Sequence, residues 1–140
     1  MPGSRATPAE KLIMVGEILG VYALMRWRMP RGDIREIAAG SRALLHRAAG
    51  SRPSNGQDNW HVAAHLGRAV YRTLRILPTD SRCLIQSLVL SRMLSARGIP
   101  STLIIGAHSR PAFEAHAWVE QDGRPVLPPR GFQDSRLVEL

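Results

Sequence analysis

Apolar residues recur at two different spacings along this chain, and the change between them falls near Pro100. Before this point they recur every three or four residues, which places them on one face of a helix. After it they run together or alternate with polar residues, which is typical of strands. Helices followed by a small antiparallel sheet are therefore predicted, and the expected fold class is α+β.

Four helices are predicted, each bounded by residues that start or stop helices. Thr7-Pro8 followed by Glu10 predicts the start of the first helix, with Pro8 at its first position, and Asp33 and Glu36 resemble a capping box for the second helix. Gly98 suits the left-handed end of the last helix. The predicted helices cover about residues 8–28, 33–49, 58–77 and 80–97, with a linker over 50–57.

The first predicted helix contains a strongly apolar stretch, Leu12 to Met25. Glu17 interrupts this stretch, which is also shorter than the ~20 residues that a membrane-spanning helix needs. No small-residue cleavage site follows it, so a signal peptide is not predicted. We expect a buried core helix and no membrane association. Its apolar stripe comprises Leu12, Val15, Ile18, Leu19 and Tyr22.

The strands are predicted from short apolar or alternating runs. They are Thr102–Ala107, Glu114–Gln121 and Arg124–Leu127, with a short additional strand over Leu137–Leu140. A loop is expected from His108 to Ala112. Asp122-Gly123 predicts a two-residue hairpin turn between the second and third strands. Pro128-Pro129 ends the third strand, because proline cannot donate a hydrogen bond to a sheet.

Length and charge narrow the possible classes of protein. The 140 residues suit a single domain over 1–140, with a helical lead-in over about 8–77 and a core over about 78–140. The net charge is +8, and the first fifty residues carry 8 basic against 4 acidic side chains. A basic helical surface suits an acidic partner. No zinc-finger spacing or aromatic-interleaved basic patch is present, so nucleic-acid binding is not predicted.

Cys83 and His116 are the residues with the clearest chemical potential. The single cysteine cannot form an internal disulfide, and nothing else indicates export, so a reducing, cytoplasmic setting is expected. Cys83 falls in the first turn of its helix, where free N–H groups and the helix dipole favour a thiolate. His116 lies on a strand, a rigid place for a general base. Taken separately, an inert thiol and a core histidine are the plainer interpretations.

The other histidines do not predict a cofactor site. His61 and His65 are four residues apart and could bind a metal together, but no third ligand has fitting spacing. His46 and His108 are expected to be exposed. No metal, nucleotide or other cofactor is therefore predicted.

Three motifs occur together and in order between Pro78 and Leu127. They are CL-x-x-SL-x-L starting at Cys83, RGI-x-x-x-L-x-IG after it, and F-x-AHAWVE-x-DG around His116. Together they resemble the protease half of the lasso-peptide biosynthesis B protein, a transglutaminase-like cysteine peptidase of bacterial peptide maturation. The resemblance implies a papain/transglutaminase-like core that removes the leader from a precursor peptide. It also implies Cys83 as nucleophile and His116 as base.

The family usually has an aspartate shortly after the DG turn, which orients the histidine. Here that slot reads Val126-Leu127-Pro128-Pro129, without a carboxylate. Asp134 is the nearest later candidate and is predicted to fold back to His116 as the third catalytic residue, with a backbone carbonyl as the alternative. Asp122, at the tip of the turn, is expected to be too far away. The backbone N–H of Cys83 is a plausible oxyanion donor.

The resemblance also implies partners. The chain is too short to add a peptide-recognition domain of roughly 80 residues in front of this one. A separate leader-recognition protein would then present the precursor peptide, and an ATP-dependent lasso cyclase would act on the product. Two alternatives are a non-catalytic peptide-binding module of the same fold and a transglutaminase-like acyltransferase. The missing aspartate favours the first of these.

Overall fold

The structure, a computed structural model, describes residues 6–49, 56–77, 82–108, 114–126 and 135–140. Four helices and then four strands lie within these ranges, which confirms the predicted α+β class. The helices are α1 (Pro8–Arg28), α2 (Ile34–Ala49), α3 (Gly56–Leu74) and α4 (Arg82–Ala96). The strands are β1 (Thr102–His108), β2 (Glu114–Gln121), β3 (Arg124–Pro125) and β4 (Ser135–Glu139).

The first two helices begin at the polar residues predicted to cap them. The Thr7 hydroxyl accepts a hydrogen bond from the backbone N–H of Glu10 at 3.2 Å. In return the Glu10 carboxylate accepts one from the backbone N–H of Thr7 at 2.7 Å, which completes the capping box. At the start of α2 the Asp33 carboxylate accepts a hydrogen bond from the N–H of Arg35 at 3.1 Å. Each cap satisfies an N–H group that the helix itself leaves without a partner.

The end of α4 confirms the role predicted for Gly98. This glycine has a φ of +71°, a conformation that side chains with a Cβ rarely adopt. Its N–H donates to the carbonyl of Ser95, and the N–H of Ile99 donates to the carbonyl of Leu94, both at 3.0 Å. These two bonds form a Schellman motif, and the buried side chains of Ile99 and Leu94 supply its usual apolar partners.

Several predicted boundaries need correction. Helix α3 begins at Gly56 rather than at Asp58, since a carboxylate is favourable anywhere in a first helical turn and does not fix its start. Strand β1 includes His108, which was predicted to begin a loop but pairs with Glu114. Strand β3 ends at Pro125, earlier than predicted, and Leu127 lies outside the described residues.

The four strands form one antiparallel sheet in the order β3-β2-β1-β4. The turn between β2 and β3 is the predicted two-residue loop, with positive φ at both Asp122 (51°) and Gly123 (74°). Positive φ at both central positions is what a type I′ hairpin requires. The predicted last strand exists as β4, shifted to Ser135–Glu139, and it pairs with β1.

Helix α4 lies at the centre of the domain. It packs against the other three helices and against β2 and β1. Its side chains from Ser87 to Leu90 and from Met93 to Ser95 are buried. The main hydrophobic core therefore forms around α4, between the helices and one face of the sheet. From the sheet and its hairpin it includes Leu103, Ala117, Val119 and Val126.

Helix α1 is only partly the buried core helix that its sequence predicts. Ile18 and Met25 are fully buried, which confirms that one face packs inward. The expected stripe was wrong for Leu12, which is 72 % exposed, and for Val15 and Leu19, which are also exposed. The error arises because α1 is apolar on both sides, so spacing alone cannot identify the inner face. Among the described residues, no helix is long and apolar enough to cross a membrane.

An ion pair joins α1 to the end of α4. Both terminal nitrogens of Arg97 donate to the two carboxylate oxygens of Glu17, each at 2.7 Å. Arg97 also donates to the backbone carbonyl of Met93 at 3.1 Å. The hydrogen bonds from Arg97 hold the pKa of the Glu17 carboxyl below its ordinary value, although partial burial acts in the opposite direction. The residue that interrupts the apolar stretch of α1 is thus paired.

Candidate active site

Cys83 is the second residue of α4, and its free thiol is partly buried. The first-turn position predicted from the sequence is therefore confirmed. Ile85, two residues later, is 1 % exposed and anchors this end of the helix in the core. The first N–H groups of a helix have no acceptor within it, so the thiol lies beside free donors and the positive end of the dipole. Such a position stabilises negative charge on the oxygen of an attacked carbonyl group.

His116 lies on β2, directly opposite Gly106 of β1, and its side chain is partly buried. Because glycine has no side chain, β1 places none directly opposite the imidazole. On the other side of β2, strand β3 pairs only with Glu120 and Gln121. Among the described strands, β2 is therefore the outermost one at His116, and the imidazole lies at the rim of the sheet.

The two faces of β2 have different neighbours. Ala117 and Val119 belong to the core cluster that contains the helices. Successive side chains of a strand point to opposite faces, so His116 lies on the face turned away from that cluster. Helix α4, which carries Cys83, packs against β2 through this cluster. The pairing of Cys83 and His116 stays a prediction.

Trp118 and Glu120 share a face of β2 with His116, as the alternation predicts. The indole N–H of Trp118 donates to a carboxylate oxygen of Glu120 at 3.0 Å, and both residues are buried. The rings of Trp118 and His116 lie 6.3 Å apart between centroids, with an angle of 22° between their planes. Trp118 therefore contacts both Glu120 and the predicted base.

The residue that orients His116 stays a prediction. Asp134, the proposed third catalytic residue, lies outside the described residues. Asp122 lies at the tip of the hairpin turn, where its carboxylate accepts a hydrogen bond from the side-chain amide of Gln121 at 2.8 Å. Val126, at the start of the slot where the family has its aspartate, is buried in the core cluster. That position therefore supplies packing and no charge.

Two polar residues of α4 lie within a turn or so of Cys83. Ser87 is buried, which fits either support of the site or close packing of the helix. The amide nitrogen of Gln86 is buried without a hydrogen-bond partner in the described part of the chain. A buried donor left in that state costs about 1–3 kcal/mol. Gln86 was not predicted as a site residue. The one sequence feature that could have indicated it is its position as a polar residue within an apolar run.

His61 and His65 are the pair that could bind a metal together, as their spacing on α3 predicts. His61 and His65 are both exposed on α3. In the ranges that the structure describes, no three His, Cys, Asp or Glu residues are grouped so that they could hold a metal ion.

A comparison with protein families matches residues 26–135 to the transglutaminase-like superfamily. The match begins near the end of α1 and continues to the first residue of β4, so it includes Cys83, His116 and Asp134. Comparisons with curated proteins and with solved structures gave no significant match.

Proposed function

The chain belongs to the transglutaminase-like superfamily, and on that basis we propose that it is a cysteine peptidase that removes the leader from a lasso-peptide precursor. The observation that carries the proposal is the position of the single cysteine. Cys83 lies in the first turn of the helix around which the domain packs, and that helix packs against the strand of His116. The three motifs shared with the lasso-peptide B protein support the choice of substrate.

The proposed reaction is acyl transfer to water. The Cys83 thiolate attacks the carbonyl carbon of the leader–core amide, and the N–H groups at the start of α4 stabilise the oxyanion. His116 protonates the departing amine as the C–N bond breaks, which leaves the leader attached to sulfur as a thioester. His116 then takes a proton from water as the water oxygen bonds to the thioester carbon, the C–S bond breaks to release the Cys83 thiolate, and the leader leaves as a carboxylic acid that ionises in solution. This chemistry needs no metal or nucleotide.

Partners follow from the same proposal. A separate leader-recognition protein would hold the precursor and present it to Cys83, and an ATP-dependent cyclase would then close the lasso. The basic surface of the helical half, which suits an acidic partner, is a docking face for the recognition protein in this scheme. Asp134, or a backbone carbonyl, would orient His116.

One alternative has support from the family itself. A transglutaminase-like acyltransferase would form the same thioester and pass it to an amine instead of water. A second alternative, a peptide-binding module without catalysis, has support from the sequence of residues 126–129, which has no carboxylate where the resembled family has one. Product mass distinguishes all three proteins. Loss of the leader supports the peptidase, a mass gain from the amine supports the transferase, and an unchanged precursor supports the binding module.

The proposal is tested with the precursor peptide from the same gene neighbourhood, the recognition protein and mass spectrometry. Cys83→Ala should abolish leader removal while circular dichroism shows an unchanged fold. Ser95→Ala is the matched control, because it changes a small, buried polar residue near the opposite end of the same helix and should leave most of the activity. A folded Cys83→Ala variant that still cleaves at a rate near wild type would refute the proposal.

The predicted third residue has its own test. If Asp134 orients His116, Asp134→Asn should lower the cleavage rate by at least about tenfold, since the amide favours the wrong tautomer. A loss of less than about twofold would instead favour a Cys–His dyad oriented by other groups.

A further inference from the structure

We propose that Glu120 and Trp118 position the imidazole of His116 through a chain of side-chain contacts along one face of β2. These three residues are called the positioning ladder below. The proposal rests on the proposed function, because the orientation of His116 matters only if it acts as a base. Glu120 and Trp118 are positioning residues, since they act through His116 and need not touch the substrate.

The first contact of the ladder fixes the indole of Trp118. Its N–H donates to Glu120 at 3.0 Å, and the two residues are only 8 % and 5 % exposed. Rotation of the indole would leave a buried donor without this acceptor, which is unfavourable. Ile104, directly opposite Trp118 on β1, is fully buried. The indole therefore has little freedom to turn.

The second contact carries this restraint to His116. The two rings are separated by 6.3 Å and inclined by 22°, within the range of 4.5–7 Å in which aromatic side chains attract each other. The outer torsion of histidine is broad, so an imidazole needs neighbours to select its plane. Gly106, directly opposite, has no side chain that could do this. The fixed indole supplies a flat surface against which the imidazole lies.

The ladder would matter because proton transfer depends steeply on geometry. A positioned base contributes about 10²–10⁴ in rate, and a displacement of 1 Å can cost about 10². The family aspartate is absent from its usual slot, so part of this orientation has to come from other groups. A substitution that breaks a contact of the positioning ladder should therefore lower the rate of reaction at Cys83 by at least about tenfold. This loss should be smaller than the loss from removing His116.

Alkylation of Cys83 by iodoacetamide tests the ladder without any substrate. The chain has one cysteine, so the rate of modification as a function of pH reports on Cys83 alone. His116→Ala should slow alkylation at neutral pH and move the rate–pH curve, because the imidazole no longer pairs with the thiolate. Glu120→Ala should move the curve in the same direction and lower the neutral rate by about tenfold.

A conservative variant and a second ladder variant separate positioning from packing. Glu120→Gln keeps an oxygen that can accept the indole hydrogen bond, so it should recover most of the rate that Glu120→Ala loses. Trp118→Leu should resemble Glu120→Ala. The double variant should be no slower than either single variant, because both changes break the same chain of contacts.

Gln121→Ala is the matched control. Gln121 is also buried on β2 and also hydrogen-bonded, but it lies on the opposite face from His116. It should lower thermal stability without moving the alkylation curve.

Three outcomes would overturn the ladder. If Glu120→Ala behaves like Gln121→Ala, Glu120 serves packing alone. If Glu120→Gln is as slow as Glu120→Ala, the carboxylate charge acts rather than the bond to Trp118. Additive losses in the double variant would show that the two residues act independently. If His116→Ala itself leaves the curve unchanged, the proposed pairing of Cys83 and His116 fails, which is a different result.

Discussion

Helices α1 and α4 look alike in sequence, yet they occupy different positions in the molecule. Both are apolar around most of their circumference. Helix α4 is enclosed by α1, α2, α3 and the sheet, and Ala96 is the only exposed residue among its described side chains. Helix α1 buries Ile18 and Met25 and leaves its opposite side uncovered, with Leu12 and Ile13 more than 70 % exposed. The apolar character of a helix indicates that it packs against other elements. It does not indicate how many faces of the helix those elements bury.

The same difference bears on function. A helix enclosed on all sides holds its first turn rigidly, and Cys83 lies in the first turn of α4. A helix with one exposed face tolerates most substitutions at the residues of that face. Substitutions in the two helices should therefore have very different effects on the free energy of unfolding, and the predictions below test that difference.

Leu94→Ala should have the largest effect. Leu94 is fully buried at the last turn of α4, where it also accompanies the Schellman motif with Ile99. Removing its side chain loses buried apolar area and leaves a cavity, which costs about 2–5 kcal/mol in the free energy of unfolding. Urea unfolding followed by circular dichroism measures the loss. A change below about 1 kcal/mol would contradict the central position of α4.

Gly98→Ala should come next. Gly98 has a φ of +71°, which costs a residue with a Cβ about 1–2 kcal/mol. Gly16→Ala in α1 is the matched control, since an added Cβ there meets nothing within 4 Å. Alanine is favoured over glycine in a helix interior by roughly 0.5–1 kcal/mol, so this variant should be more stable than wild type. The free energy of unfolding should fall in Gly98→Ala and rise in Gly16→Ala. Changes in the same direction would contradict the conformations assigned to these glycines.

The contrast between the two helices also explains how much the sequence could predict. Caps and turns were predictable, because Thr7, Gly98 and Asp122-Gly123 act through local geometry that each residue type favours. The buried side of α1 was not, since burial depends on which distant elements pack against it. The first-turn position of Cys83 was likewise local and correct. The face of β2 on which His116 lies was also predictable, because it follows from the alternation of side chains along a strand. The elements that pack against this face were not predictable, because they are distant in the sequence.

The ion pair between the two helices should have a small, pH-dependent effect. Hydrogen bonds from Arg97 lower the pKa of the Glu17 carboxyl below its ordinary value of 4.5. A lowered folded-state value means that the pair stabilises the protein above about pH 4.5, and this contribution disappears as acid protonates the folded carboxyl. Both side chains are about one-third exposed, so the contribution should stay below about 1 kcal/mol.

Urea unfolding of wild type and Glu17→Gln at pH 7 and pH 3 measures this contribution. The difference between the two proteins should be present at pH 7 and should shrink at pH 3. Arg97→Gln supplies the control background: without Arg97, which lowers the pKa of Glu17, the Glu17→Gln change should no longer have a pH-dependent effect. A difference between wild type and Glu17→Gln that grows in acid would contradict the assigned direction.

Leu12→Gln should have the smallest effect on the free energy of unfolding. Leu12 is 72 % exposed, and glutamine has a helix propensity close to that of leucine. The expected change is within about 0.5 kcal/mol, as for most surface substitutions. Ile18→Ala, on the buried side of the same helix, is the matched comparison and should cost about 2–5 kcal/mol. A loss at Leu12 that approaches the loss at Ile18 would mean that something covers the outer face of α1 in solution. Repeating the measurement over a range of protein concentrations would then show whether a second copy of the chain is the cover, because association makes stability depend on concentration.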